Sequence, residues 1–396
     1  MGSKSNLGKI CLLFLLALVA EVQSSGSVFN VNDYGAKGAG DISQAVMKAW
    51  KAACASPGPS TVLIPKGNYN MGEVAMQGPC KGSKIGFQID GVVKAPADPS
   101  KFKSDGWVSF YRIDGLTVSG TGTLDGQGQT AWAKNNCDKN PNCKRAAMNL
   151  RFDFLKHAMV RDITSLNSKM FHINVLECED ITIQHVTVTA PGTSINTDGI
   201  HVGISKGVTI TNTKIATGDD CISIGPGSQN VTITQVNCGP GHGISIGSLG
   251  KYNNEKEVRG VTVKGCTFSG TMNGVRVKTW PNSPPGAATD LTFQDLTMNN
   301  VQNPVILDQE YCPYGQCSRQ APSRIKLSNI NFNNIRGTST GKVAVVIACS
   351  HGMPCSNMKI GEINLSYRGA GGPATSTCSN VKPIFSGKQV PAIKCA

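Results

Sequence analysis

Short strand-like phrases recur along most of this chain, and this repeat limits the possible folds more than any other feature. Consecutive phrases begin 21 to 34 residues apart, as in "DITIQHVTV" from Asp180, "GVTITNTKI" from Gly207 and "NVTITQVNC" from Asn230. Within each phrase apolar residues alternate with Thr, Asn and Gln, the pattern of a half-buried strand. A second strand follows at a similar offset, for example "GIHVG" from Gly199 and "CISIG" from Cys221.

Two or more strands per irregular turn, with Gly and Asn at the corners, predict a parallel β-helix. Each coil of such a solenoid buries its apolar face only by stacking on its neighbours. The alternative is a β-sandwich, but its strands would be joined by tight hairpin turns, and no such turn repeats. We therefore expect an all-β chain in which residues 25–396 form a single parallel β-helix domain.

Two segments depart from the repeat. Ser43 to Ala55 has helical spacing of its apolar residues, with Ser43 as the expected N-cap. Because a solenoid needs its end covered, we expect a short helix that caps the N-terminal end. The stretch from Gln127 to Arg145 has no periodicity and is interpreted as a projecting loop.

The first 24 residues have the pattern of a secretory signal peptide. Lys4 and Lys9 precede an apolar run from Ile10 to Ala20, and small residues near Ser24 offer a cleavage site. A membrane anchor is the alternative, but the run is too short to span a bilayer comfortably. We expect a soluble, exported protein that is not attached to a membrane.

The 15 cysteines fit an exported chain whose thiols form disulfides. A zinc site is less favoured, because paired CxxC spacings are absent. The closest cysteine pairs are Cys137 with Cys143, Cys312 with Cys317, Cys349 with Cys355, and Cys378 with Cys395, while Cys221 and Cys238 flank the region of interest. Asn230 and Asn364 begin glycosylation acceptor motifs.

A formal net charge of +13 suits a polyanionic partner. Nucleic acid is not expected, because the chain is exported and has no compact Lys/Arg cluster interleaved with aromatic residues. An acidic polysaccharide fits better, and ordinary solubility charge is the alternative explanation.

Alignment of the second strands predicts where the chemistry lies. Asp198, Asp220 and His242 immediately precede successive strands, and Asp219 comes one position earlier. The next rows contain His201, Ser223, Ser245 and Arg276, and then Gly203, Gly225, Gly247 and Lys278. Because adjacent coils lie about 4.8 Å apart, one face should carry three carboxylates beside cationic groups. A purely structural ion-pair network is the alternative.

These residue types suit hydrolysis of a glycosidic bond in an acidic sugar. One carboxylic acid protonates the leaving oxygen and one carboxylate activates water. Repulsion between Asp219 and Asp220 tends to keep one of them protonated. Arg276 and Lys278 would bind the carboxylate of the sugar, and His242 would tune an aspartate or bind substrate.

At these residues the chain resembles the polygalacturonases of glycoside hydrolase family 28. Four motifs match in order: "NTDG" from Asn196, "GDD" from Gly218, "GHG" from Gly241 and "RVK" from Arg276. The longer phrases around "GHG" and "NTDG" are most similar to plant pollen-type exopolygalacturonases. The resemblance implies a right-handed parallel β-helix that hydrolyses α-1,4-linked galacturonate with inversion and without a metal or cofactor.

The resemblance also implies the role of each residue. Asp219 would be the general acid, Asp198 and Asp220 would activate the water, and His242 would support the acid. Arg276 and Lys278 would bind the substrate carboxylate, with Asn196 and Tyr311 as further substrate-binding candidates. The sequence departs from the usual motifs at Val277, where most members have Ile, and at Ile195, where many have Pro.

Several alternatives stay open at this stage. A pectate lyase would share the fold but use Ca²⁺ held by carboxylates, and the neighbouring cations disfavour it. A non-catalytic pectin-binding wall protein would need only the basic groove. Endo and exo action are not separated by the residues, and only the pollen-type resemblance favours exo. Adjacent-coil spacing is closer to the carboxylate separation of retaining enzymes, so inversion rests on the resemblance. We expect a monomer in the cell wall.

Overall fold

The chain is a parallel β-helix built from two sheets. The computed structural model describes residues 26–38, 40–136, 140, 143–315 and 317–396. Sheet 1 has eleven described strands, which pair in the order of the chain. They are Val74–Gln77, Gly106–Tyr111, Met148–Asp153, Ile173–Leu176, Ile200–Gly203, Ile222–Ile224, Ile244–Leu249, Asn273–Thr279, Asn303–Asp308, Val343–Ala348 and Thr375–Ser379.

Sheet 2 has 23 described strands and forms the rest of the wall. They are Ser27–Asn30, Ser60–Ile64, Asn68–Asn70, Ile85–Ile89, Val92–Lys94, Leu116–Ser119, Thr123–Asp125, Lys156–Arg161, Thr164–Leu166, Glu179–Gln184, Thr187–Thr189, Lys206–Thr211, Lys214–Ala216, Gln229–Thr234, Asn237–Cys238, Val258–Lys264, Thr267–Ser269, Gly286–Val301, Ile325–Ser339, Ser356–Ile360, Ile363–Tyr367, Ile384–Phe385 and Gln389–Val390. The long strand Gly286–Val301 pairs with two shorter strands of the preceding coil, which joins two faces of the solenoid into this one sheet.

Apolar columns set the register between coils. In sheet 1, Ile200 pairs with Ile222, Ile222 with Ile244, and Ile244 with Val275. All four side chains are buried. Because a slip of one residue would turn these side chains out of the core, burial fixes the register. The prediction of an all-β parallel β-helix is confirmed.

The corners of the coils explain the abundance of Asn and Gly. Where the strands of sheet 2 turn, one residue per coil has a left-handed backbone conformation, and Asn, Asp and Gly adopt it at low cost. This column contains Asp162, His185, Asn212, Gln235, Gly265, Asp295 and Asn334. The repeated corner therefore needs a particular backbone conformation but no particular side-chain chemistry.

A helix covers the N-terminal end, as predicted. It spans Ser43–Ala55 and buries one face, which includes Val46 and Trp50. The expectation that Ser43 caps this helix was wrong. Ser43 is the first helical residue, and Asp41 Oδ1 accepts its backbone N–H at 2.8 Å and its hydroxyl at 2.5 Å. The described 3₁₀ helices are Val31–Tyr34, Pro99–Lys101 and Pro313–Gly315.

The segment from Gln127 to Arg145 is not entirely loop. Gln129–Lys134 forms a short helix, and Trp132 Nε1 donates a hydrogen bond to the carbonyl of Ser168 at 2.9 Å. Six residues are too few to produce a recognisable helical period, so the sequence pattern missed this helix.

Disulfides join neighbouring parts of the solenoid. Three of the predicted close pairs are formed: Cys312–Cys317, Cys349–Cys355 and Cys378–Cys395. Two further bonds are Cys54–Cys80 and Cys221–Cys238. Cys137 lies outside the described residues. Among the described cysteines, Cys178 and Cys266 are free and buried, and burial raises their pKa values to about 12 and about 11.

One hydrophobic core runs through the described solenoid, from Val31 to Ile393. The predicted signal, residues 1–24, lies outside the described residues, and the division of the chain at residue 25 stays a prediction. Within the described ranges, no helix is long and apolar enough to cross a membrane.

Shortening a side chain in the sheet 1 column should weaken the fold. Ile222→Ala removes a fully buried side chain, so we expect a loss of about 2–5 kcal/mol in the free energy of unfolding, measured in urea. Ile384→Ala is the matched control, because Ile384 is 61% exposed. Equal losses for the two variants would contradict the assigned column.

Candidate active site

The strand register brings one polar row onto the outer face of sheet 1. His201 pairs with Ser223, Ser223 with Ser245, and Ser245 with Arg276, as the sequence alignment predicted. The sequence also predicted a row of Gly203, Gly225, Gly247 and Lys278. The strand pairing is irregular at the end of this row, because the register shifts between Ile246 and Leu249. The Lys278 side chain nevertheless returns to the site.

Asp220 is the buried centre of an ion-pair cluster. Its Oδ1 accepts hydrogen bonds from Arg276 Nη2 at 2.9 Å and from the Ser245 hydroxyl at 2.8 Å. Its Oδ2 accepts one from Lys278 Nζ at 3.1 Å. The Asp220 side chain is only 4% exposed, so the two cations balance a charge that would otherwise be costly to bury.

Asp198 lies on the neighbouring coil and has a different environment. It is buried, and the Ser223 hydroxyl donates to its Oδ2 at 2.7 Å. Ser223 also contacts His201 Nδ1 at 2.8 Å. Among the described residues, the Asp198 side chain forms no ion pair and accepts this one hydrogen bond from a neutral group.

Asp219 is the most accessible of the three carboxylates. Its side chain is 22% exposed, and its Oδ1 lies 3.0 Å from His242 Nδ1. The same oxygen accepts the backbone N–H of Asp220 at 2.8 Å. Its Oδ2 has no hydrogen-bond partner among the described residues. His242 therefore pairs with Asp219, although the alignment placed it in the row of Asp220.

The environments separate Asp198 and Asp220 electrostatically. Burial, and then the charges of Asp219 and Asp220, raise the pKa of Asp198 well above its usual range. Burial also acts to raise the pKa of Asp220, but Lys278 and Arg276 outweigh it, so this pKa lies below its usual value. Adjacent aspartates in the sequence predict mutual repulsion, but they do not show that Lys278 and Arg276 lower the pKa of Asp220.

The remaining predicted substrate-binding residues border this cluster. Lys278 Nζ lies 5.4 Å from the centre of the Tyr311 ring, and burial raises the pKa of Tyr311. Asn196 has a left-handed backbone, and its Oδ1 accepts a hydrogen bond from Asn135 Nδ2 at 2.9 Å. All eight predicted site residues therefore lie on or beside one face.

The same carboxylates are poor ligands for a metal ion. One ligand atom each from Asp219, Asp220 and His242 lie within 4.8 Å of one another. However, both Asp220 oxygens already accept hydrogen bonds from cations. A Ca²⁺ site needs six to eight oxygen ligands, and a cation here would meet Arg276 and Lys278. The residues do not fit a calcium site.

Sequence reasoning missed one residue of this face. Arg145 is exposed and lines a cavity of about 530 Å³ together with His201, Gly203 and Gly225. Burial, and then the charge of Arg145, lower the pKa of His201 to about 4. Arg145 lies outside the repeat, so no alignment of coils could place it on sheet 1.

Comparisons with known proteins identify the family of this chain. Residues 54–391 match the model of the glycosyl hydrolases family 28, and the chain belongs to this family. It is 98% identical over 375 residues to an exopolygalacturonase of Platanus acerifolia, a match that covers 95% of this chain and all of that protein. It is 55% identical to an exopolygalacturonase of Oenothera organensis, over 89% of this chain and 98% of that protein.

Solved structures share the fold. An exopolygalacturonase from Thermotoga maritima superposes with a TM-score of 0.72 at 17% identity and covers 90% of each chain. An endo-xylogalacturonan hydrolase from Aspergillus tubingensis gives a TM-score of 0.76 at 23% identity, over 93% of this chain and 99% of that one. At these identities the likeness is one of fold alone.

Neutralising the two buried aspartates should change stability in opposite directions. Asp220→Asn leaves Arg276 and Lys278 buried without their counter-charge, so we expect a loss of about 3–5 kcal/mol at pH 7. Asp198→Asn removes a charge that burial disfavours, so we expect a gain in the free energy of unfolding at pH 7. Urea unfolding between pH 3 and pH 8 measures both.

The pH dependence of the free energy of unfolding is the control for these two variants. The raised pKa of Asp198 means that its ionisation costs stability above its unfolded pKa of about 3.9, so the gain from Asp198→Asn should vanish below that pH. The lowered pKa of Asp220 contributes stability above about pH 3.9, which is lost as the pH falls through the folded pKa. Stability changes of the same sign at pH 7 would contradict the assignment.

Proposed function

We propose that this protein is a secreted polygalacturonase that hydrolyses α-1,4-galacturonosidic bonds from a chain end. The observation that carries the proposal is the set of three aspartates on one face, each in a different electrostatic environment, in a member of the glycosyl hydrolases family 28. The name of the Platanus acerifolia relative, an exopolygalacturonase, supports the same substrate and the exo mode.

Asp219 is the general acid in this proposal. Its partly exposed side chain can reach the glycosidic oxygen, and its Oδ2 has no hydrogen-bond partner among the described residues. His242 contacts the other oxygen and so fixes the orientation of the carboxyl. A positioned acid of this kind contributes about 10²–10⁴-fold to the rate.

Asp198 and Asp220 have different roles in the activation of water. Asp220, kept ionised by Arg276 and Lys278, orients the water through its charge. Asp198 takes the proton, because the raised pKa of this carboxyl makes its ionised form the stronger base. Attack from the face opposite the leaving oxygen inverts the anomeric centre, so the first product should be the β-anomer.

Arg276 and Lys278 retain donors for a substrate carboxylate. Arg276 uses Nε and Nη2 for Ser245 and Asp220, and a guanidinium has five N–H donors. Lys278 donates one hydrogen bond to Asp220 and has three N–H groups. Tyr311 and Asn196 border the same groove and add contacts to the sugar.

Export is proposed from the N-terminal sequence and the disulfides. Residues 1–24 act as a cleaved signal, and the disulfides fit an oxidising extracellular compartment. A chain with a net charge of +13 is attracted to polygalacturonate in the cell wall. Asn230 and Asn364, both exposed, are the proposed glycan sites. We propose that the enzyme acts as a monomer.

The sharpest test is the size of the products released from polygalacturonate at early conversion, in calcium-free buffer with chelator. Saturated monogalacturonate alone is the expected result. A ladder of saturated oligomers would keep the hydrolase but overturn the exo mode. Unsaturated products that require calcium would indicate a lyase, and binding without any product would indicate a wall-binding protein.

Asp219→Asn should abolish turnover but keep binding. The amide keeps the shape of the side chain but cannot supply the proton, so we expect kcat to fall by about 10²–10⁴-fold. The dissociation constant for a galacturonate oligomer should change little. Asp162→Asn, an exposed aspartate at a sheet 2 corner, is the control. Unchanged turnover in Asp219→Asn would refute the assignment of the acid.

A further inference from the structure

We propose that a cavity beside the 127–145 segment holds the terminal galacturonate residue, with Arg145 binding its carboxylate. This inference rests on the proposed function and deepens it by assigning what makes the action exo. The cavity measures about 400 Å³, within the range of about 300–1,000 Å³ typical of small-molecule sites. We call it the terminal cavity, and Phe102, Lys134, Lys144, Arg145 and Met170 are among the residues that line it.

The terminal cavity lies beside the coil that precedes the one with Asp198. The pairing of Ile173 with Ile200 places Met170 on the coil next to that of Asp198. The backbone N–H of His172 donates to the carbonyl of Asp198 at 2.8 Å, which confirms that the two coils are adjacent. Because coils are about 4.8 Å apart, the cavity begins one coil from the catalytic carboxylates, on the N-terminal side.

Hydrogen bonds hold the segment that walls this cavity. Trp132 Nε1 donates to the carbonyl of Ser168 at 2.9 Å. Asn135 Nδ2 donates to Asn196 Oδ1 at 2.9 Å, which ties the segment to the loop before Asp198. Lys144 Nζ donates to the carbonyl of Phe102 at 3.2 Å. A wall anchored at three points stops a polysaccharide chain from continuing past it.

The charge in the cavity suits a carboxylate. Its described lining contains Lys134, Lys144 and Arg145 and no Asp or Glu. Arg145 forms no ion pair with the described residues. Arg145 also lines the cavity beside His201, so it lies where the terminal cavity meets the catalytic face. A guanidinium there can bind a carboxylate in bidentate fashion.

The test compares two substrates on Arg145→Met. One is trigalacturonate, and the other is the same trimer with the carboxyl of its terminal sugar reduced to an alcohol, prepared separately for each end. The unmodified enzyme should cleave one reduced trimer at least about tenfold less efficiently, by kcat/KM, than trigalacturonate. Arg145→Met should lose that preference, mainly through a raised KM for trigalacturonate, and Arg145→Lys should keep part of it.

Arg336→Met is the matched control, because Arg336 is an exposed arginine on sheet 2, away from the groove. It should behave like the unmodified enzyme. If Arg145→Met discriminates between the substrates as the unmodified enzyme does, the inference is overturned while release of monogalacturonate still stands. If the unmodified enzyme releases no monogalacturonate, the proposed exo function itself fails.

Discussion

Parallel backbone pairing between successive coils is the constraint on which the rest of this structure depends. It makes neighbours of residues that are far apart in the chain, as when Ser223 pairs with Ser245. The buried column that contains Ile222 holds this register, because a slip by one residue would expose it. The polar row on the other face is therefore placed by the same pairing that builds the core.

This pairing brings three aspartates together on one face, and their neighbouring groups differ. Asp220 pairs with two cations, and Asp198 accepts a hydrogen bond from the Ser223 hydroxyl. The partly exposed Asp219 lies beside His242. One face thus holds a carboxylate whose pKa two cations lower, a buried carboxyl whose pKa is raised, and a partly exposed carboxyl. Hydrolysis of a glycosidic bond needs an acid and a base of this kind on either side of the sugar.

Much of this could be predicted from the sequence, because a repeat of strands carries its own register. The alternation in phrases such as that from Gly207 indicated the strands, and their alignment brought Asp198, Asp220 and Arg276 to one face. The alignment failed where the backbone departs from the repeat. The register shifts after Ile246, and the hydrogen bond from Lys278 to Asp220 joins residues of different rows, which the alignment does not connect.

The structure of segments outside the repeat was even harder to predict from the sequence. The helix Gln129–Lys134 is too short to have a period, and Arg145 has no equivalent on another coil. Their positions depend on contacts such as that between Asn135 and Asn196, which join residues with no common sequence pattern. Strand alignment therefore predicts the catalytic face well, but it says little about the walls that close the groove.

The central claim is that burial and neighbouring charges shift the pKa values of Asp198 and Asp220 in opposite directions. The most direct measurement is a carbon-13 NMR titration of the aspartate carboxyl groups, assigned with the Asp198→Asn and Asp220→Asn variants. The account predicts that Asp220 titrates below the usual range for aspartate and Asp198 clearly above it. If Asp220 instead took up its proton at a higher pH than Asp198, the account of the site would be contradicted.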